Sequence, residues 1–230
     1  MITPTRATSV GLLLSGGLDS AILLVHLLEQ GHRVQPFYVR FHLFWEREEL
    51  LAVVRLLRTH RCASLGKLVT FDVPLFDLYR DHWSLSGRDV PGAETPDEAV
   101  YLPGRNALLI VKPAVWCQMH GIEKLALASL GTSPFHDATD EFFTDFQSAL
   151  NRPATDPLQI IRPFSTLDKR QVMQLASDFP LELTFSCLAP VGGLHCGQCN
   201  KCAERMEAFQ SIGRQDRTRY ASTVCAASMS

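Results

Sequence analysis

Several familiar features are missing from this sequence, and each absence excludes something. No apolar run approaches the roughly 20 residues needed to span a bilayer, so no membrane partner is expected. The opening Met1-Ile2-Thr3-Pro4-Thr5-Arg6 is too short to be a signal sequence, and a cytoplasmic protein is expected. A net charge of −2 lacks the basic excess that binding a phosphate backbone requires, so nucleic acid is not an expected partner. There is no internal repeat and no low-complexity tract. Neither a Gly-x-x-x-x-Gly-Lys-Ser loop nor a Gly-x-Gly-x-x-Gly fingerprint occurs, which removes the two commonest phosphate loops. The seven cysteines do not suggest a disulfide framework in a cytosolic chain. Four of them crowd one window near the C-terminus, a distribution that points to metal.

What is present begins with an α/β pattern. A length of 230 residues, 46% of them apolar, suits one large domain with a small appendage. Val10 to Leu14 reads as a buried strand, and Ala21 to Glu29 is apolar at helical spacing and stops at Gly31. Between them lies Ser15-Gly16-Gly17-Leu18-Asp19-Ser20. A glycine-rich turn between strand and helix aims free N–H groups and the positive helix end at one spot, which attracts an anion, most often phosphate. Glycine at 16 and 17 permits positive φ and close approach of a ligand. The Ser15 and Ser20 hydroxyls add donors, and Ser20 is a candidate helix cap.

Further along, strands are expected at Arg33–Arg40, Lys67–Val73, Lys124–Leu130 and Leu158–Phe164. Helices are expected at Leu43–His60 (apolar face Leu50, Leu51, Val54, Leu57), at Arg105–His120, around Phe142, Phe143, Phe146 and Leu150, and at Thr166–Ser177. Pro36 suggests a bulge or an unpaired position in the second strand. The alternation implies a five-stranded, mostly parallel sheet with helices on both faces, of Rossmann-like type, plus a small C-terminal metal segment. The expected division is 8–180 for the nucleotide-binding domain, 181–212 for the cysteine segment and 213–230 for a loose tail. The long stretch 74–103 reads as a lid or substrate loop.

Cys187, Cys196, Cys199 and Cys202 are spaced C-x8-C-x2-C-x2-C. Four thiolates in a closed shell suit structural zinc, leaving no open position for catalysis; an iron–sulfur cluster is the rival. The metal is expected to fasten the C-terminal segment, and its removal to unfold that segment. His195 is a stand-in ligand at most. Cys62, Cys117 and Cys225 have no partner spacing and read as isolated residues.

The six residues Ser15–Ser20 resemble the Ser-Gly-Gly-x-Asp-Ser signature of the PP-loop ATP pyrophosphatases, a superfamily with the adenine nucleotide alpha-hydrolase-like fold. Combined with the cysteine spacing, the chain resembles the 7-cyano-7-deazaguanine synthases of the queuosine pathway. Leu102-Pro103-Gly104-Arg105-Asn106 is similar to that family's Pro-Gly-Arg-Asn motif. Leu167-Asp168-Lys169 resembles its Thr-Lys segment, and Thr184–Cys187 with His195–Arg205 resemble its zinc segment. The resemblance implies ATP, Mg2+ and Zn2+ as cofactors. It implies an ATP-dependent carbon–nitrogen ligase that adenylates a deazapurine carboxylate, adds ammonia to give an amide, and dehydrates the amide through a second adenylation. Nucleotide contacts are implied for Leu14, Ser15, Gly16, Gly17, Leu18, Asp19, Ser20, Ala21, Ile22, Leu23 and Leu24. Catalytic roles are implied for Asp19, Ser20, Arg105 and Lys169, substrate contacts for Arg105, Asn106, Phe135 and Asp137, and a homodimer for the assembly. Tyr38-Val39-Arg40 stands where the family has Tyr-Gly-Gln, and Thr139 where it has an arginine. Losing that guanidinium removes a bidentate partner for a carboxylate, so a related activation that ends in an amide or a protein conjugate is the second reading. A nucleotide-binding regulator without turnover, and a PP-loop tRNA-modifying enzyme, fit the intact Asp19, Arg105 and Lys169 and the committed cysteines less well.

Overall fold

The computed structural model describes residues 8–176 and 179–221. Five parallel strands, β1 (Ser9–Leu13), β2 (Arg33–Arg40), β3 (Val69–Asp72), β4 (Lys124–Ala126) and β5 (Gln159–Ile161), form one sheet in the order β3-β2-β1-β4-β5. The helices are α1 (Leu18–Glu29), α2 (Glu46–Thr59), the short α3 (Phe76–Tyr79) and α4 (Trp83–Ser86), α5 (Arg105–Met119), α6 (Asp140–Asn151), α7 (Lys169–Gln174) and α8 (Asn200–Ser211). The strand order reverses direction at β1, between β2 and β4, and an open parallel sheet binds ligands outside the carboxyl ends of its strands at such a point.

Alternation along β1 divides the core. Val10, Leu12 and Leu14 join α1, α7 and α8 on one face, while Leu13 joins α5 and α6 on the other. Leucines buried this completely, such as Leu12, Leu23 and Leu24, each contribute about 1.5–3 kcal/mol. Gly11 lets α5 approach closely, since a Cβ there would lie 2.6 Å from the Phe37 ring and 2.8 Å from Cys117 Sγ.

Several expectations shift. The β1–β2 register runs unbroken through Leu12 and Pro36, so Pro36 makes no bulge; pairing with β3 starts only at Phe37, where a donor is again available. The buried face of α2 is Ala52, Val53 and Leu56, rotated from the expected stripe, and Leu51 is exposed. The expected fourth strand ends at Ala126 because Leu127 to Leu130 turn out to line a cleft. The stretch 74–103 is partly helical, and its later residues strap the cysteine segment: Ala93 N–H donates to Gln198 O and Asn200 N–H to Pro91 O, both at 2.9 Å. Residues 214–221 do not behave as a loose tail. Arg214 donates to the carbonyls of Ala176 and Phe179, and Ala221 N–H donates to His195 O. Residues 222–230, including Cys225, lie outside the described residues, as does the C-terminal end of the helix expected at Thr166–Ser177. Cys62 is exposed and Cys117 buried.

Candidate active site and metal centre

A cleft of about 640 Å³ opens at the carboxyl ends of β1, β2 and β4, and a smaller cavity of about 230 Å³ adjoins it. The larger volume lies in the range of ligand sites for small molecules. Ser15, Asp19, Glu49, Arg105, Lys169, Lys201 and Glu204 line both, so they mark the junction.

The glycine-rich loop forms one wall. Gly16 has φ +82°, and a Cβ there would lie 3.0 Å from the Glu49 carbonyl oxygen, so both backbone and packing exclude a side chain. Gly17 differs from the expectation of positive φ: it is extended, at φ −73°, and sits as the N-cap of α1 without a side-chain cap. Ser20 donates to Gly17 O at 3.3 Å and lies 3.1 Å from Ser15 Oγ, which fixes the two hydroxyls together. Of the residues for which nucleotide contacts were implied, Leu14, Ser15, Leu18 and Asp19 face the cavities. Ala21, Ile22, Leu23 and Leu24 are instead packed in the core beneath, because the motif there has become the apolar face of α1.

Lys169 reaches the loop from a distant part of the chain. Its Nζ donates to both Asp19 oxygens, at 2.9 and 2.7 Å, and meets Glu204 Oε1 at 2.7 Å. Burial works against the charge on Lys169, but Asp19 and Glu204 outweigh it and hold the ammonium above its ordinary range. Burial likewise opposes the charge on Glu204, yet Lys169 and Lys201 prevail and lower it to about 2. Asp168 caps α7 by a capping box with Gln171, which aims Lys169 from the first turn.

Arg105 opens α5 after Gly104, at φ 74°, and lines both cavities. Its Nε is buried without a protein partner, a donor available to a ligand. Asn106 donates from its backbone and side chain to Asp137. Asp137 thus anchors the positive end of α5 and is absent from the cavity wall, unlike Asn106. Phe135 lines the larger cleft, stacked on Tyr101 with centroids 5.3 Å apart. Thr139, where an arginine was expected from the resemblance, accepts from Phe142 N–H and caps α6.

Cys187, Cys196, Cys199 and Cys202 bring their sulfurs within 4.8 Å of one another. The Cys196–Cys202 and Cys199–Cys187 separations are both 3.9 Å. A tetrahedron with metal–sulfur bonds of about 2.3 Å has edges of about 3.8 Å, so the donor set fits a four-thiolate ion. Backbone N–H groups of Leu188, Ala189, Cys196 and Cys199 point at these sulfurs, as thiolates require. His195 is not a fifth ligand: its Nε2 accepts from Ser186 N–H at 3.2 Å, and burial, then the Arg205 charge, lowers it to about 3. Arg205 is buried and donates to Leu181 O, Thr184, Ser186 and Thr218. Phe185 N–H, between them, donates to Gly16 O at 2.8 Å and so joins the metal segment to the loop.

Sequence reasoning missed Glu49, Lys201 and Glu204. In sequence Glu49 is an acid in the first turn of a helix and Glu204 an acid two residues after Cys202 in a polar stretch, and both patterns usually mean solvated surface. Burial pushes Glu49 apart from that pattern, up to about 7, outweighing the Arg105 charge and the hydrogen bonds from Tyr38 and Trp45, which lower it.

A family model described as queuosine biosynthesis protein QueC matches residues 9–213. A 7-cyano-7-deazaguanine synthase of Legionella pneumophila strain Philadelphia 1 is 32% identical over 222 residues, covering 90% of this chain and 95% of its own. One from Chlorobium phaeovibrioides is 26% identical over 222 residues, covering 90% and 94%. Among solved structures, the U34-tRNA thiolase NcsA from Methanococcus maripaludis superposes with a TM-score of 0.50 at 12% identity, over 97% of this chain and 79% of that one; this is a likeness of fold.

Proposed function

This chain belongs to the queuosine biosynthesis protein QueC family, and from that premise we propose that it converts 7-carboxy-7-deazaguanine and ammonia to 7-cyano-7-deazaguanine at the expense of ATP. The observation that carries the reading is the convergence, at one junction, of the loop Ser15–Ser20, Arg105 and Lys169 from three separate parts of the chain. A carboxylate is a poor acceptor until it bears a leaving group, so the site's work is to hold ATP, align the carboxylate with the α-phosphate and stabilise departing pyrophosphate.

In this mechanism the N–H groups of Gly16 and Gly17 with the Ser15 and Ser20 hydroxyls cradle the pyrophosphate at the start of α1. Lys169 and Arg105 supply positive charge as pyrophosphate leaves, with the Arg105 Nε free to donate. Asp19 orients Lys169 and would share with the phosphates in holding Mg2+, which would neutralise charge on the departing pyrophosphate. Phe135, backed by Tyr101, offers a flat apolar surface for a fused ring, and Asn106 holds the α5 end on which Arg105 depends. Ammonia attacks the acyl adenylate to release AMP and give an amide; a second adenylation, on the amide oxygen, prepares the loss that forms the nitrile. Zn2+ on Cys187, Cys196, Cys199 and Cys202 would hold the segment carrying Phe185, Lys201 and Glu204 against the loop. A homodimer is supported by α5, where Val111, Val115 and Met119 are exposed at intervals of four along one face.

Incubation with ATP, Mg2+, ammonia and 7-carboxy-7-deazaguanine, followed by mass spectrometry, tests the reading. Nitrile with AMP is expected; ADP in place of AMP would overturn the pyrophosphate-releasing assignment. The role of Thr139 as a helix cap favours a second reading, in which the acyl substrate differs and the product is an amide or conjugate. Turnover that stops at the amide would select it.

A further inference from the structure

The junction of the two cavities is where the phosphates of a nucleotide and the acyl group have to meet. Three carboxylates stand there, and they are not equivalent. Asp19 is held through both oxygens by Lys169, and Glu204 is paired with Lys169 and Lys201. Glu49 has no ion pair among the described residues. Its Oε2 accepts from the Tyr38 hydroxyl at 3.0 Å, and the Trp45 side chain also hydrogen-bonds it.

Its position is rigid. Tyr38 is on the inner strand β2, paired on both sides, and 3% exposed, so the hydroxyl that holds Glu49 is itself fixed. The same turn of α2 packs its carbonyl against Gly16, setting the carboxyl at a constant distance from the phosphate loop. A carboxylate clamped by a lysine is a weak base, because protonation forfeits the ion pair. Glu49 has no lysine clamped on it; the Arg105 charge and the hydrogen bonds from Tyr38 and Trp45 lower its proton affinity, but burial outweighs them and raises it to about 7, near working pH.

We propose that Glu49 is the general base for the nitrogen nucleophile, accepting a proton from ammonia as it attacks the adenylated carboxyl. This rests on the function proposed above. In the step, the nitrogen lone pair forms a bond to the acyl carbon, one N–H bond breaks and its proton passes to a Glu49 oxygen. The carbon–oxygen bond to AMP then breaks, its electron pair leaving on the phosphate oxygen. Before attack, the uncommitted carboxylate also offers a site to a small cation such as ammonium.

The test separates the two half-reactions. Carboxylate-dependent exchange of pyrophosphate into ATP reads adenylation, and amide or nitrile formed per AMP reads nitrogen transfer. E49Q retains the shape of the side chain and an oxygen for Tyr38 to bond. It is expected to keep exchange within about threefold while ammonia-dependent product falls about 100-fold or more, with AMP released by hydrolysis of the adenylate instead. E49D, which restores a base on a shorter stem, should recover part of the product. Loss of exchange and product together in E49Q overturns the inference, placing Glu49 in nucleotide binding or folding, and so does unchanged product. No carboxylate-dependent exchange in the unsubstituted protein overturns the functional reading and this inference with it; a loss confined to E49Q overturns the inference alone.

Discussion

The loop Ser15–Ser20 and the segment Thr184–Cys202 lie against each other, joined by the 2.8 Å bond from Phe185 N–H to Gly16 O, yet they keep their shapes by different means. The loop is a backbone construction. Its strand is paired on both sides, its helix is buried, and the left-handed Gly16 turns the chain between them. The cysteine segment has three isolated bridges, the first residues of α8 and no place in the sheet. Its order comes from side chains: four thiols around one point, and Arg205 tying Leu181, Thr184, Ser186 and Thr218. The lesson is that one wall of the cleft is held by the core while the other is held by side chains around a four-thiol site that fits an ion, although both reach Lys169, through Asp19 and Glu204 respectively.

The largest expected effect breaks the comparison at its weaker side. C202S, or prolonged chelation, removes a ligand from the four-thiolate set and should release bound metal stoichiometrically. Activity should fall below detection, and hydrogen exchange should accelerate across Phe185–Ser211 while β1 and α1 stay protected. Equal loss of protection in β1 would show that the two walls fold as one unit.

The opposite cut is D19A. It removes the partner of Lys169 on the loop side, with expected loss of AMP release of about 100-fold or more and metal content unchanged. Turnover at the level of the unsubstituted protein would take Asp19 out of the mechanism. A smaller effect is expected where the walls meet. E204Q keeps the metal and the fold but frees Lys169 and Lys201 from their carboxylate. The KM for ATP should change by about 3- to 10-fold, the scale of a partly exposed ion pair of about 1 kcal/mol, with metal content constant. A KM unaffected by E204Q would mean that the metal segment only supports the cleft.

The same contrast explains what could be read before the structure. The inner strands β1 and β2 are mostly buried and read as largely apolar runs, Arg33–Arg40 matching at both ends, while the edge strands β3 and β5, without a buried residue, were legible with looser bounds. Apolar runs report burial and not pairing, however. Leu158 and Phe164 are core residues that flank the short ladder of β5 without belonging to it. Helix α8 escaped notice because its sequence is polar, with Ala208 and Phe209 as its principal core contacts. The residues of the loop and the cysteines announced themselves by spacing. Glu49 and Glu204 did not, because an acid on a helix reads alike whether it faces solvent or a cleft, and only the packing of α2 and α8 distinguishes the two cases.

Glu49 also provides the smallest and most specific prediction, one that sharpens the comparison from the loop's side. The groups that face it are Tyr38 from β2, Trp45 and Glu46 from the start of α2, and Arg105 from α5. Burial raises its proton affinity from the ordinary 4.5 to about 7, so the folded protein binds a proton there more readily than the unfolded chain. Linkage then fixes the sign. Protonation favours the folded state, so this residue's contribution improves as pH falls from above 7 toward 4.5, and it is a net cost at pH 8. E49Q mimics the protonated form at every pH. It should therefore melt higher than the unsubstituted protein at pH 8, by about 2–4 °C for each kcal/mol relieved, with the difference closing as pH approaches 5. Calorimetry of both proteins across that range checks it, since everything else that titrates is common to the pair. A constant offset between the two would show that the Glu49 carboxyl titrates alike in folded and unfolded chains, and that the backbone wall of the cleft carries no stored cost of this kind.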